Sequence, residues 1–117
     1  MTRGMNRLRW AGPLALAWLA CTGAGYAATP DELARGKALF LSVKPACAVC
    51  HTLQAAGSQG QVGPVLDELQ PDAQRVLRVL RGGLGVMPSY EEQLSEDDMK
   101  ALASFVSHST GAAPLPR

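Results

Sequence analysis

The chain has 117 residues, three cysteines and a formal net charge of +1. Three of its arginines lie within the first nine residues; positions 28–117 hold eight Lys and Arg against ten Asp and Glu, a net of −2. That balance excludes a basic module for nucleic acid or an anionic membrane, and the length allows one small domain.

Residues 1–27 read as a secretory signal peptide. Met1 to Arg9 carries Arg3, Arg7 and Arg9 with no acid, and Trp10 to Ala20 is almost wholly apolar. Gly25-Tyr26-Ala27 then places small side chains at −3 and −1 of a cut after Ala27. The apolar run is short for a bilayer span. Trp18-Leu19-Ala20-Cys21 is a poor lipobox, because tryptophan stands where a branched aliphatic belongs. Cleavage would deliver residues 28–117 to the periplasm as one domain with no membrane span. That domain keeps only Phe40, Tyr90 and Phe105 as aromatics. At about 90 residues it is near the lower size limit for folding alone, so a buried cofactor would add much to its core.

Thr29-Pro30-Asp31-Glu32 predicts a helix start, with threonine as N-cap, proline in the first turn and Glu32 placed to close a capping box. The helix is expected to run to about Leu41. Leu33, Gly36 and Phe40 share one face, where a glycine permits close approach of another helix. Pro45 limits continuation through Ser42 to Ala46. A helical turn follows from Cys47 to Thr52 or Leu53, and Ala55 to Gly63 reads as a loop.

Gln70-Pro71-Asp72 opens the next helix, with Ala73, Val76, Leu77 and Leu80 as its apolar stripe and Gly82-Gly83 as its stop. Arg75, Arg78 and Arg81 form a basic stripe that reads as a solvated face. Leu84 to Gln93 is a loop. Ser95 caps the last helix, Leu94 and Met99 take the staple positions, and Met99, Leu102, Phe105 and Val106 face inward. The tail from Ser109 to Arg117 is expected to fray. The sum is an all-α domain of three to four helices.

Cys47-Ala48-Val49-Cys50-His51 is the attachment signature of c-type haem: two thiols for thioether bonds, then an imidazole for the iron. A disulfide, a thioredoxin-like redox pair and a zinc site are the competing readings. The redox fold needs strands, which the pattern lacks, and structural zinc needs a second ligand pair, which is missing. With His51 on the iron, Met87, Met99 and His108 compete for the sixth position. Met99 fits a core and His108 an exposed helix end. Met87 lies in a loop between Gly85 and Pro88, where packing does not require a methionine, so it is the favoured ligand.

These residues resemble a class I c-type cytochrome of the small bacterial monohaem type. The resemblance rests on Gly36 and Phe40, the Cys47–His51 motif, Gly63-Pro64, Gly85-Val86-Met87-Pro88 and the last helix with Phe105. It implies the cytochrome c fold around one covalent haem c on Cys47 and Cys50, with His51 and Met87 as axial ligands. It also implies that Pro64 offers its carbonyl to the His51 ring and that the terminal helices cross near Gly36 and Phe105. Val49, Leu53, Leu66, Leu69, Leu77, Leu80 and Tyr90 are the expected lining of the crevice.

The implied function is periplasmic electron transfer, not enzymatic catalysis. A periplasmic dehydrogenase is the expected donor, and a terminal oxidase or another cytochrome the acceptor. One alternative is a cytochrome subunit bound tightly to a dehydrogenase, for which the Gly57–Gly63 and Val86–Tyr90 stretches resemble partners of molybdenum sulfite dehydrogenases. Another is a haem enzyme or gas sensor with an open distal site. Three lysines in 28–117 make no lysine ring, so docking would fall to the arginine stripe or to the apolar patch of Ala46, Ala48, Val86 and Pro88.

Overall fold

The computed structural model describes residues 27–112, with Gly12 alone ahead of them. The expected signal segment and its Cys21 lie outside the described residues, apart from Gly12 and Ala27, and so do residues 113–117 of the tail.

Helix α1 spans Pro30–Ser42, one residue longer than expected, and its Thr29 cap accepts the Glu32 N–H at 3.1 Å. The Glu32 carboxylate accepts the Ser104 hydroxyl at 3.0 Å, a part-buried bond to the last helix in place of the capping box expected there. The chain then leaves the helix in extended form at Val43.

The last helix, α5 by the order of the chain, spans Glu96–Ser109, with the Ser95 hydroxyl accepting the Asp98 N–H at 3.1 Å. Helices α1 and α5 pack on one another along their apolar faces. Gly36 is buried at the crossing, where a Cβ would collide with the Ala101 carbonyl and the Phe105 Cβ. One turn on, the rings of Phe40 and Phe105 meet edge to face, 6.0 Å apart and inclined by 70°. Arg35 closes the outer side with an ion pair to Asp98.

Between them come α2 (Cys47–Cys50), α3 (Leu66–Leu69) and α4 (Ala73–Gly82). Helix α4 begins at the Asp72 cap, whose carboxylate accepts the Arg75 N–H at 2.7 Å, and it packs on α5, with Leu77 and Leu80 as its buried side chains. Phe40, Leu53, Leu80 and Leu102 are the largest side chains wholly out of solvent.

Two elements differ from the sequence expectation. The cysteine turn ends at Cys50 rather than at Thr52 or Leu53, and the chain from there into the expected loop forms a small antiparallel hairpin, β1 (Thr52–Leu53) paired with β2 (Ser58–Gln59), turned by a 3-10 helix at Gln54–Ala56 and by Gly57 at φ +64°. Side chains brace this short ladder. The Ser58 hydroxyl accepts the Leu53 N–H at 3.0 Å and donates to the His51 carbonyl at 2.9 Å, and Thr52 Oγ1 donates to the Gly60 carbonyl at 3.0 Å. Helix α3 is a single unpredicted turn. It stops at Gln70, in the left-handed region at φ 46°, whose side-chain amide donates to the Thr110 carbonyl at 2.9 Å and so ties this turn to the end of α5.

Candidate functional site

Helix α2 is one turn long, closed by the His51 N–H to the Cys47 carbonyl at 2.9 Å. A single turn brings residues 47, 50 and 51 to one side, and Cys47, Cys50 and His51 all line one cavity of about 310 Å³. That is the lower end of the range usual for pockets that bury a small molecule, about 300–1,000 Å³. Both thiols are free. Burial pushes the Cys47 thiol up to about 11, so it stays protonated. That is the reverse of the depressed pKa that a thiol–disulfide nucleophile needs. Among the described residues no three His, Cys, Asp or Glu side chains converge to hold a metal ion.

The His51 ring is fixed from two sides. Its Nδ1 lies 2.8 Å from the Pro64 carbonyl oxygen. A carbonyl can only accept, so Nδ1 carries the proton and Nε2 is left with a free lone pair. The backbone of Gly63 presses on the ring: a Cβ there would lie 2.8 Å from Nδ1 and 2.9 Å from Nε2. Gly63 is held in turn by its N–H to the Cys50 carbonyl at 2.7 Å. Gly60 sits as tightly on the backbone of Cys50 and His51, where a Cβ would come within 2.6 Å. No side chain fits at either position without moving the turn.

Met87 reaches the same cavity from a separate arm of the chain. Gly83 and Gly85, at φ +68° and +57°, shape a tight turn in which Leu84 and Met87 exchange backbone hydrogen bonds at 2.9 and 3.0 Å. The arm is anchored by the Tyr90 N–H on the Leu80 carbonyl at 2.7 Å. Tyr90 itself is buried, which raises its hydroxyl to about 12 and keeps it a donor. Met99 is a core residue and His108 is exposed on the last turn of α5; neither lines the cavity.

The walls correct part of the expected lining. Leu66, Leu69, Leu80 and Tyr90 line the cavity, whereas Val49 is 64% exposed and Leu53 and Leu77 are buried elsewhere in the core. Helix α4 is rotated from the expected stripe, so that Arg75, Val76, Val79 and Leu80 face the opening. Sequence periodicity found the apolar stripe of α4 but could not say which edge of it meets α5 and which the cavity. Arg75 is the one formally charged side chain among the lining residues, and the rest of the wall is mostly apolar. Thiols, a bare imidazole nitrogen, a thioether and apolar walls together suit an iron porphyrin with thiol-reactive substituents.

A one-turn Cys-x-x-Cys-His element that opens on an apolar cavity, inside a cage closed by crossing first and last helices, defines a small class I c-type cytochrome. The family model described as cytochrome c oxidase, cbb3-type, subunit III, matches residues 31–106, and the chain belongs to that family. Among solved structures the chain is similar to the c-type cytochrome SorU from Sinorhizobium meliloti. The two are 44% identical with a TM-score of 0.68, over 74% of this chain and 100% of that one. Covalently bound haem c is its cofactor. Among the described residues no helix is long and apolar enough to cross a membrane.

Proposed function

We propose that this cytochrome is a periplasmic electron carrier in which His51 and Met87 supply both axial ligands. The observation that carries the reading is that an imidazole and a thioether from separate segments line one apolar cavity; with both on the iron, no axial position would be left for substrate. Cys47 and Cys50 would hold the haem by thioether bonds. Pro64 would keep the His51 ring in one orientation and raise the basicity of its Nε2. When bound, the haem supplies a one-electron couple at its iron. The Met87 thioether and the apolar walls favour the less charged reduced form and so raise the potential. Ligands held in one place in both oxidation states leave little to reorganise.

The first 27 residues support a periplasmic location after cleavage at Ala27. A periplasmic dehydrogenase as donor and a terminal oxidase or second cytochrome as acceptor fit this role. Tight binding to a dehydrogenase would show as co-purification at fixed stoichiometry. The test is the absorption spectrum and intact mass of protein expressed in the periplasm. The expected mass is that of residues 28–117 plus one haem. The expected ferric spectrum contains the long-wavelength methionine–iron charge-transfer band; its absence, with rapid carbon monoxide binding to the native ferrous protein, would refute the axial assignment.

A further inference from the structure

The arm that carries Met87 is pinned to the segment just ahead of Cys47 by two side chains. Tyr90 donates its hydroxyl to the Pro45 carbonyl at 2.7 Å. Gln93 pairs with Lys44 in both directions: its Oε1 accepts the Lys44 N–H at 3.3 Å and its Nε2 donates to the Lys44 carbonyl at 2.6 Å. These partners lie 45 and 49 positions apart in sequence. Behind Met87 the arm is held on the other side, by the Tyr90 N–H on Leu80 and by the Ser89 hydroxyl on the Arg81 carbonyl at 2.5 Å.

A neutral thioether is a weak ligand, and it stays on a metal against competitors only if its effective concentration there is high. Every freedom removed from the arm raises that concentration. The tie to Lys44–Pro45 matters most in this respect, because it references the arm to the segment that leads directly into the cysteine turn. The anchors on Leu80 and Arg81 refer it only to α4.

We propose that Tyr90 and Gln93 are positioning residues that hold Met87 at a fixed distance from the Cys47–His51 turn. The inference rests on the axial role of Met87 proposed above. Neither residue acts as a ligand; both act through the methionine. A residue that merely stabilised the fold would shift the unfolding midpoint and leave ligand competition alone.

The test is a titration of the haem-loaded ferric protein with imidazole, followed by loss of the methionine–iron band. Tyr90→Phe removes one hydrogen bond and should raise the apparent imidazole affinity about fivefold. Gln93→Leu removes two and should raise it further. Gln93→Glu keeps the acceptor for the Lys44 N–H and loses the donor, so it should fall between the native protein and Gln93→Leu. Leu77→Ala, a core change away from the cavity, should lower the melting temperature without changing imidazole affinity.

Native affinity in both Tyr90→Phe and Gln93→Leu, with the band in place, would overturn the positioning role while leaving Met87 ligation standing. So would a Leu77→Ala protein whose affinity rises as far as theirs. A native protein without the band would overturn ligation and positioning together.

Discussion

Two helical glycines should respond to the same substitution with opposite signs. Alanine is favoured over glycine in a helix interior by roughly 0.5–1 kcal/mol. At Gly82, near the end of α4, a Cβ meets nothing within 4 Å, so Gly82→Ala should collect up to about that gain. At Gly36 the same Cβ collides with the Ala101 carbonyl and the Phe105 Cβ. The Ala101 obstacle is backbone, so no rotamer change can relieve it, and α1 must move away from α5. Overpacking of a well-packed core costs about 1–3 kcal/mol. The shift also loosens the Phe40–Phe105 contact, which geometry of this kind makes worth about 0.5–1.5 kcal/mol beyond its buried area. Setting the propensity gain against these losses leaves a net cost of about 2 kcal/mol. For a domain of this size that corresponds to a drop of roughly 10 °C in melting temperature. Thermal unfolding of the haem-loaded variants, followed by circular dichroism, measures both. A Gly36→Ala protein as stable as its parent would refute the close crossing.

Three further outcomes are expected. Met87→Ala should lose the methionine–iron band, lower the reduction potential and open the ferrous protein to carbon monoxide, all read by spectroscopy and redox titration. Replacing both Cys47 and Cys50 by serine should leave a chain that cannot retain haem. At about 24 cal/mol per Å³, an unfilled cavity of about 310 Å³ costs at most about 7 kcal/mol, comparable to the whole stability of a small domain. Such a protein should show no cooperative melt, and a sharp transition at the parent's temperature would contradict the estimate. The third concerns acid. The Arg35 guanidinium beside Asp98 holds its carboxyl below the usual value of 3.8. A lowered folded-state pKa adds stability that is present above the unfolded value and lost as pH falls through the folded one. In urea unfolding, the gap between native protein and Asp98→Asn should be full at neutral pH and should close below about pH 3.8. Because Arg35 is well exposed, the gap should also shrink in high salt.

Local signals in the sequence carried the long elements. Helices α1, α4 and α5 each have a hydroxyl or carboxylate cap and an apolar repeat, and both are written within a few residues. The close crossing at Gly36 follows from the family resemblance rather than from local signals, since a helix can also simply tolerate a glycine on its apolar face. The hairpin at 52–59 was not legible, because two-residue strands are too short for any periodicity and are held by Ser58 and Thr52 side chains. Helix α3 is likewise a single turn. The cysteine–histidine turn and Met87 were recognisable as chemistry, but the face of α4 that meets the cavity depends on how α4 docks on α5. That docking is set by packing at a distance, so the local pattern does not bring Val79 and Arg75 to the cavity and puts Leu77 there in error. The bonds from Tyr90 and Gln93 to Lys44 and Pro45 join segments more than forty positions apart, and no local pattern announces them.

The crossing of α1 and α5 also sets an order of assembly. Gly36 and Phe40 find their partners about 65 positions later in the chain, on the last helix to be made. Chains are synthesised from the N-terminus, so the residues of the first helix are made well before the surface they meet. A chain stopped before residue 96 has all the chemistry of the cysteine turn and no means of closing over it. In this protein the thiol-bearing turn precedes in the chain the helix that closes the cage, so a chain emerging from its N-terminus would present the thiols before the cage could close.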